Sequence, residues 1–147
     1  MCGSGLTKWP VQSVCSKRAN TTVNADIYMA HGINEYSGRT ATAASVHLRN
    51  GFRVIGIDMP SFGRSSGLHG YLPTLRWNEG ALNAVMLHVH MWDEYEQLEN
   101  LAHRKRFAQG ASMGGFTCAY HAALHPPPST SVSMSLNGIC LTAPMLQ

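Results

Sequence analysis

The sequence predicts an α/β protein built on a parallel sheet with helices on both faces. Three observations carry that expectation. Short runs rich in β-branched residues alternate with longer stretches of helical periodicity. The run FRVIGI at 52–57 is continuously apolar after its first turn of chain, as a strand covered on both faces requires. Glycine and proline stand at the ends of the helical stretches, where helices stop.

Taken in chain order, residues 1–21 read as an irregular segment with one short strand around 8–14, and residues 22–147 as core strands and helices. A strand fits 22–30, although its middle, Asn24-Ala25-Asp26, is polar for a buried position. A helix fits 38–50, closed by Gly51 at its C-terminal cap. The 52–57 strand follows, then a loop rich in Gly, Ser and Pro over 58–73. A helix over 74–102 carries Leu82, Val85, Val89 and Trp92 at helical spacing, with Asp93, Glu94, Glu96 and Glu99 expected to face water. A strand at 106–109 leads into a glycine-rich turn at 110–115. A helix then runs to about His125, stopped by Pro126-Pro127-Pro128, and the last strand is 136–142.

Composition narrows the function classes. The chain has 147 residues, 44% hydrophobic and only 13% charged, which suits one ordinary domain and excludes a disordered chain. The net charge of +3 is scattered apart from Arg104-Lys105-Arg106, whereas a nucleic-acid partner calls for basic residues gathered on one face. Cys2, Cys15, Cys118 and Cys140 have no C-x-x-C spacing, so free thiols in a reducing compartment are expected. The N-terminus has no basic region followed by an apolar one, and no apolar run reaches the ~18 residues of a membrane span. A cytoplasmic protein without signal peptide or transmembrane helix is the expectation.

The chemistry concentrates at Gly110-Ala111-Ser112-Met113-Gly114, a G-x-S-x-G pentapeptide between an expected strand and an expected helix. That context suits a nucleophile elbow, a sharp turn that exposes a serine oxygen at the start of a helix. Glycine at 110 and 114 avoids collisions with neighbouring backbone, and Gly115 lets the helix approach the sheet. The helix N-terminus aims its N–H groups and positive dipole end at the serine. Acyl transfer also needs donors for the developing oxyanion, each contributing on the order of 3 kcal/mol. The N–H after the nucleophile, Met113, is one. The other comes from the loop after an upstream strand, where His31-Gly32-Ile33 ends the 22–30 segment, so the Ile33 N–H is the candidate. Reading Ser112-Met113-Gly114-Gly115 as a phosphate nest ranks last, because neither G-x-G-x-x-G nor G-x-x-x-x-G-K-[ST] is present. His88 and His90 stand two apart with Asp93 and Glu94 nearby, and residues two apart on a helix point in different directions, so no metal is assigned.

Several segments together resemble one family. Residues 31–39, HGINEYSGR, resemble the H-G-x-G-E-H-S-x-R stretch of monoacylglycerol lipases. Residues 58–67, DMPSFGRSSG, are similar to their D-x-x-G-x-G-x-S-x-G loop, and 68–73, LHGYLP, to the L-H-G-Y-[IL]-P of one branch. Residues 109–115 resemble the G-x-S-M-G-G elbow, and Leu141-Thr142-Ala143-Pro144-Met145 the L-x-A-P-M strand end. The similarity covers about residues 25–147, in the family's order. It implies the α/β-hydrolase fold, Ser112 as nucleophile, Met113 and Ile33 as oxyanion donors, no cofactor, and small lipid esters such as monoacylglycerols or lysophospholipids as substrates, with peripheral membrane contact. Asn34, Tyr36, Thr40 and Ser61 depart from the pattern, and Asp58 matches a residue that shapes the loop.

A serine nucleophile needs a base, and the base an orienting carboxylate, in the order Ser, acid, His. After Ser112 the sequence has no Asp or Glu; the last acid is Glu99. His121 and His125 lie on the same expected helix, roughly 13 and 19 Å along it at about 1.5 Å per residue, and are expected on its surface. The expectation is therefore the N-terminal part of a single α/β-hydrolase domain, ending after the strand that follows the nucleophile helix, with cap and C-terminal half absent. Two functions follow: an incomplete serine ester hydrolase, or a catalytically inactive relative acting through binding. The 136–142 strand would then be an open edge, inviting self-association.

Overall fold

The computed structural model describes residues 13–16, 23–96, 104–128 and 134–145. Five strands and three helices follow in the order β1 (Ser13–Ser16), β2 (Ala25–Ala30), α1 (Ala41–Arg49), β3 (Arg53–Ile57), α2 (Arg76–Tyr95), β4 (Lys105–Ala111), α3 (Met113–Leu124) and β5 (Gly138–Thr142). They form one sheet in the order β1-β3-β2-β4-β5. β3, β2, β4 and β5 are parallel, with β3 and β4 flanking β2, an order the alternation permits and the resemblance implies. β1 runs antiparallel to β3 at the edge, so the sheet is not wholly parallel. Most of the strand expected at 8–14 lies outside the described residues, as does 97–103 of the long helix.

Side-chain alternation along the strands assigns the two faces. Ile27 and Met29 of β2 and Val54 of β3 pack against Ala43, Ala44 and Leu48 of α1. Tyr28, Ala30, Ile55 and Ile57 face the other way and meet Leu82, Val85 and Met86 of α2 and Met113 and Cys118 of α3. The second layer is the thicker one. No residue of α1 is fully buried, and an open cleft of about 210 Å³ lies between it and Val54 and Gly56. The helix expected from 38 begins as a 3-10 turn, Ser37–Thr40, and becomes α-helical at Ala41. Gly51 closes it with φ +81, the left-handed conformation expected of that cap.

The polar middle of β2 and the acids of α2 find their explanation in one network. Asp26 is paired in register with Arg53 on β3, and Arg53 donates to both Asp26 oxygens at 2.6–2.7 Å. Arg53 also grips Asp93 of α2, and Arg104 reaches the same carboxylate at 3.2 Å. Asp26, Arg53 and Asp93 are all buried. Burial alone would pull the Arg53 guanidinium down; the hydrogen bonds it donates to Asp93 and Asp26 outweigh it and hold it above its ordinary range. Asp93 therefore does not face water, as helical position alone suggested. Glu94 and Glu96 do, and Glu99 lies outside the described residues.

Candidate active site

β2, β3 and β4 end level with one another: Ala30 is paired with Ile57 on one side and Gly110 on the other. The loops that leave these three strands therefore emerge together at the C-terminal edge of the sheet, where open α/β sheets carry their sites.

The turn from β4 into α3 passes through a single residue, Ser112, at φ 49 and ψ −116. A non-glycine residue there is strained, and such strain persists only when the surroundings over-determine it. Three backbone bonds do so. The Ser112 N–H donates to the Thr142 carbonyl at 3.0 Å, and the Ser112 carbonyl accepts from Phe116 at 3.0 Å and Met145 at 3.1 Å. Close packing accounts for the glycines. A Cβ on Gly110 would overlap the Gly114 carbonyl, and one on Gly114 would overlap the Ala30 carbonyl. A Cβ on Gly115 would stand 2.9 Å from Pro144. Ser112 itself is partly exposed. Met113 opens α3, so its N–H has no acceptor within the helix.

The corner after β2 lies against this turn, since Gly114 abuts the carbonyls of Ala30 and His31. His31 is buried and uses both ring nitrogens. Its Nε2 accepts the Met59 N–H at 3.0 Å, which leaves Nδ1–H to donate to the Gly32 carbonyl at 2.7 Å. Glu35 accepts the Gly32 N–H at 2.9 Å. The next donor, Ile33 N–H, has no acceptor among the described residues. Asn34 then takes a left-handed φ of 58. Sequence reasoning missed Glu35; the signal was an acid three residues after a glycine at a strand end.

The third loop is organised by Asp58. Its carboxylate accepts the Ser37 N–H at 2.6 Å and the Arg64 N–H at 2.9 Å, and its carbonyl accepts the Ser65 hydroxyl. Phe62 is fully buried between the edges of the His31 and His69 rings. Ser61 holds φ 67 where the resembling family has glycine.

Among the described residues no hydrogen bond joins a histidine to the Ser112 side chain. His31 is fully engaged. His121 is buried, not on the helix surface as expected, and is held with His125 by Glu79 on the far part of α3. The turn, its glycines and the His31–Gly32–Ile33 corner come together; an acid–histidine pair does not.

The chain belongs to the serine aminopeptidase S33 family, whose family model matches residues 21–147. No curated protein matches it. Among solved structures it is similar to the monoacylglycerol lipase of Paleococcus ferrophilus, at 22% identity and TM-score 0.66 over 91% of this chain and 43% of that one. It is also similar to the esterase EaEST of Exiguobacterium antarcticum, at 19% identity and TM-score 0.61 over 91% and 41%. A thermostable carboxyl esterase from Bacillus coagulans, in complex with glycerol, gives 18% identity and TM-score 0.56 over 95% and 41%. The fold is that of the α/β-hydrolases, and the chain spans about two fifths of the length of these structures.

Proposed function

We propose that this chain carries the nucleophile half of a serine ester hydrolase of the monoacylglycerol lipase or lysophospholipase type. Ser112 Oγ adds to the ester carbonyl as its hydroxyl proton passes to solvent, and the N–H groups of Met113 and Ile33 hold the oxyanion of the tetrahedral intermediate. Collapse expels the alcohol and leaves an acyl group on Ser112, which water then removes. The observation that carries the reading is the strained Ser112 backbone, at φ 49, seated between β4 and α3 by glycines that no larger residue could replace. A small lipid ester is the proposed substrate, in keeping with the lipase and the esterase among the similar structures. Peripheral contact with a membrane belongs to this proposal; no described helix is long and apolar enough to cross one.

A second reading, an inactive hydrolase-like protein that works by binding, is favoured by one observation: the two histidines that follow Ser112 along its helix, His121 and His125, are both held by Glu79. Hydrolysis of a short p-nitrophenyl ester separates the two. The hydrolase reading expects slow release of p-nitrophenolate with an acyl group appearing on Ser112, both lost in Ser112→Ala. A background rate that Ser112→Ala leaves unchanged supports the binding protein.

A further inference from the structure

His121 and His125 stand one turn apart on α3 and share a single partner on α2. Their rings lie 4.4 Å apart between centroids. His121 Nδ1 is 3.0 Å, and His125 Nε2 2.7 Å, from the same oxygen, Oε1 of Glu79. The i, i+4 spacing puts both rings on one helix face. His121 is fully buried, whereas the His125 side chain is 18% and that of Glu79 12% exposed, so the cluster opens to solvent on one side only.

The hydrogen-bonding of His121 decides what this cluster needs. Its Nε2 lies 2.7 Å from the Met134 carbonyl, which can only accept, so Nε2 carries the proton. In the neutral ring Nδ1 then presents a lone pair, and it points at a carboxylate oxygen that also only accepts. Two acceptors 3.0 Å apart in a buried site need a cation between them. A second proton on His121 would supply one, at the cost of a buried imidazolium beside another imidazole. A divalent ion supplies it with both rings neutral, and it also takes up the His125 nitrogen.

We propose that Glu79, His121 and His125 form a zinc site that clips α2 to α3. Two imidazole nitrogens and a carboxylate are a ligand set that zinc accepts, and the three ligand atoms lie within 4.8 Å of one another. The Met134 carbonyl holds the remote N–H of His121, the outer contact that metal-bound histidines typically make. Solvent on the His125 side completes the coordination. The site lies about 13 Å along α3 from Ser112 at 1.5 Å per residue, so its role is structural: it anchors the helix that the Ser112 turn begins. The inference does not depend on the hydrolase reading.

The test is titration of the chelator-treated chain with Zn²⁺ alone, followed by competition with a chromophoric indicator and by the thermal midpoint. One equivalent is expected to bind and to raise the midpoint. His125→Ala and Glu79→Gln are each expected to weaken binding at least tenfold and to abolish the shift. His125 lies at the end of α3, and Glu79→Gln keeps an acceptor for both rings, so circular dichroism should report folded protein in both. Failure of the parent chain to take up zinc would overturn the proposal. So would uptake unchanged in both variants, or uptake lost instead on removing His88 and His90.

Discussion

The Glu35 carboxylate accepts the backbone N–H of Gly32 at 2.9 Å and so fixes the corner that follows β2. With that donor engaged and His31 locked between Met59 and Gly32, the Ile33 N–H is the first one free to face a ligand. Glu35→Ala is therefore expected to slow phosphonylation of Ser112 by about tenfold, the effect of losing a charge-assisted hydrogen bond of roughly 1.5–3 kcal/mol in part. Glu35→Gln, which retains an acceptor, should recover most of the rate. Equal rates in all three proteins would detach the corner from the site.

Two glycines in helices make a contrasting pair. A Cβ on Gly114 would overlap the Ala30 carbonyl, whereas one on Gly80 meets nothing within 4 Å. Gly114→Ala should cost on the order of 3 kcal/mol, with the sheet and helix forced apart. Gly80→Ala should gain about 0.5–1 kcal/mol from helix propensity. Urea denaturation of the two variants beside the parent chain checks both signs.

Ser61 holds a left-handed backbone, φ 67, in a buried loop position. Ser61→Gly should relieve that strain and stabilise the chain by about 0.5–1 kcal/mol, after the greater freedom of glycine in the unfolded chain is offset. A lower thermal midpoint in this variant would mean that the serine makes a contribution exceeding its strain.

The buried network is expected to tolerate loss of its cation badly. Arg53→Met leaves the buried Asp26 without a counter-charge and Asp93 with Arg104 alone at 3.2 Å, a loss of about 3–5 kcal/mol. Replacing all three residues by apolar ones of similar volume should recover much of it. Denaturation midpoints of the single and triple variants decide.

Burial pushes the Cys118 thiol up to about 12, with Cys140 adding to the effect, while Cys140 itself is exposed. Because the folded value is raised, this contribution to stability is complete below the ordinary thiol range and is lost as pH rises through it. Iodoacetamide at pH 8 should modify Cys140 in the native chain and Cys118 only after unfolding, as peptide mass mapping would show.

β5 pairs only with β4 among the described residues, and Ile139 on it is 39% exposed. Its outer edge is a template for strand pairing. The elution volume of the purified chain should fall with concentration, and Ile139→Lys should keep it monomeric.

Much of this was legible in the sequence, and the boundary is physical. The β4–Ser112–α3 turn was visible because glycine spacing, strand and helix are local signals within ten residues. The β3–β2–β4 order is what the family resemblance implies; the alternation of elements only permits it. Pairings between distant residues were not visible. Asp26 looked wrong for a strand and Asp93 right for a solvent face because Arg53, 27 and 40 residues away, answers both. His121 looked exposed because Glu79 and Met134 come from other elements. Glu35 was passed over because its partner is a backbone N–H.

Reaction with a fluorophosphonate, followed by mass mapping of the adduct, tests the central claim most directly. The rate should be slow, because no described histidine is hydrogen-bonded to the Ser112 side chain, yet the adduct should sit on Ser112 alone and vanish in Ser112→Ala. Prolonged exposure that leaves Ser112 unmodified, or adducts spread over other serines and indifferent to that substitution, would contradict the account.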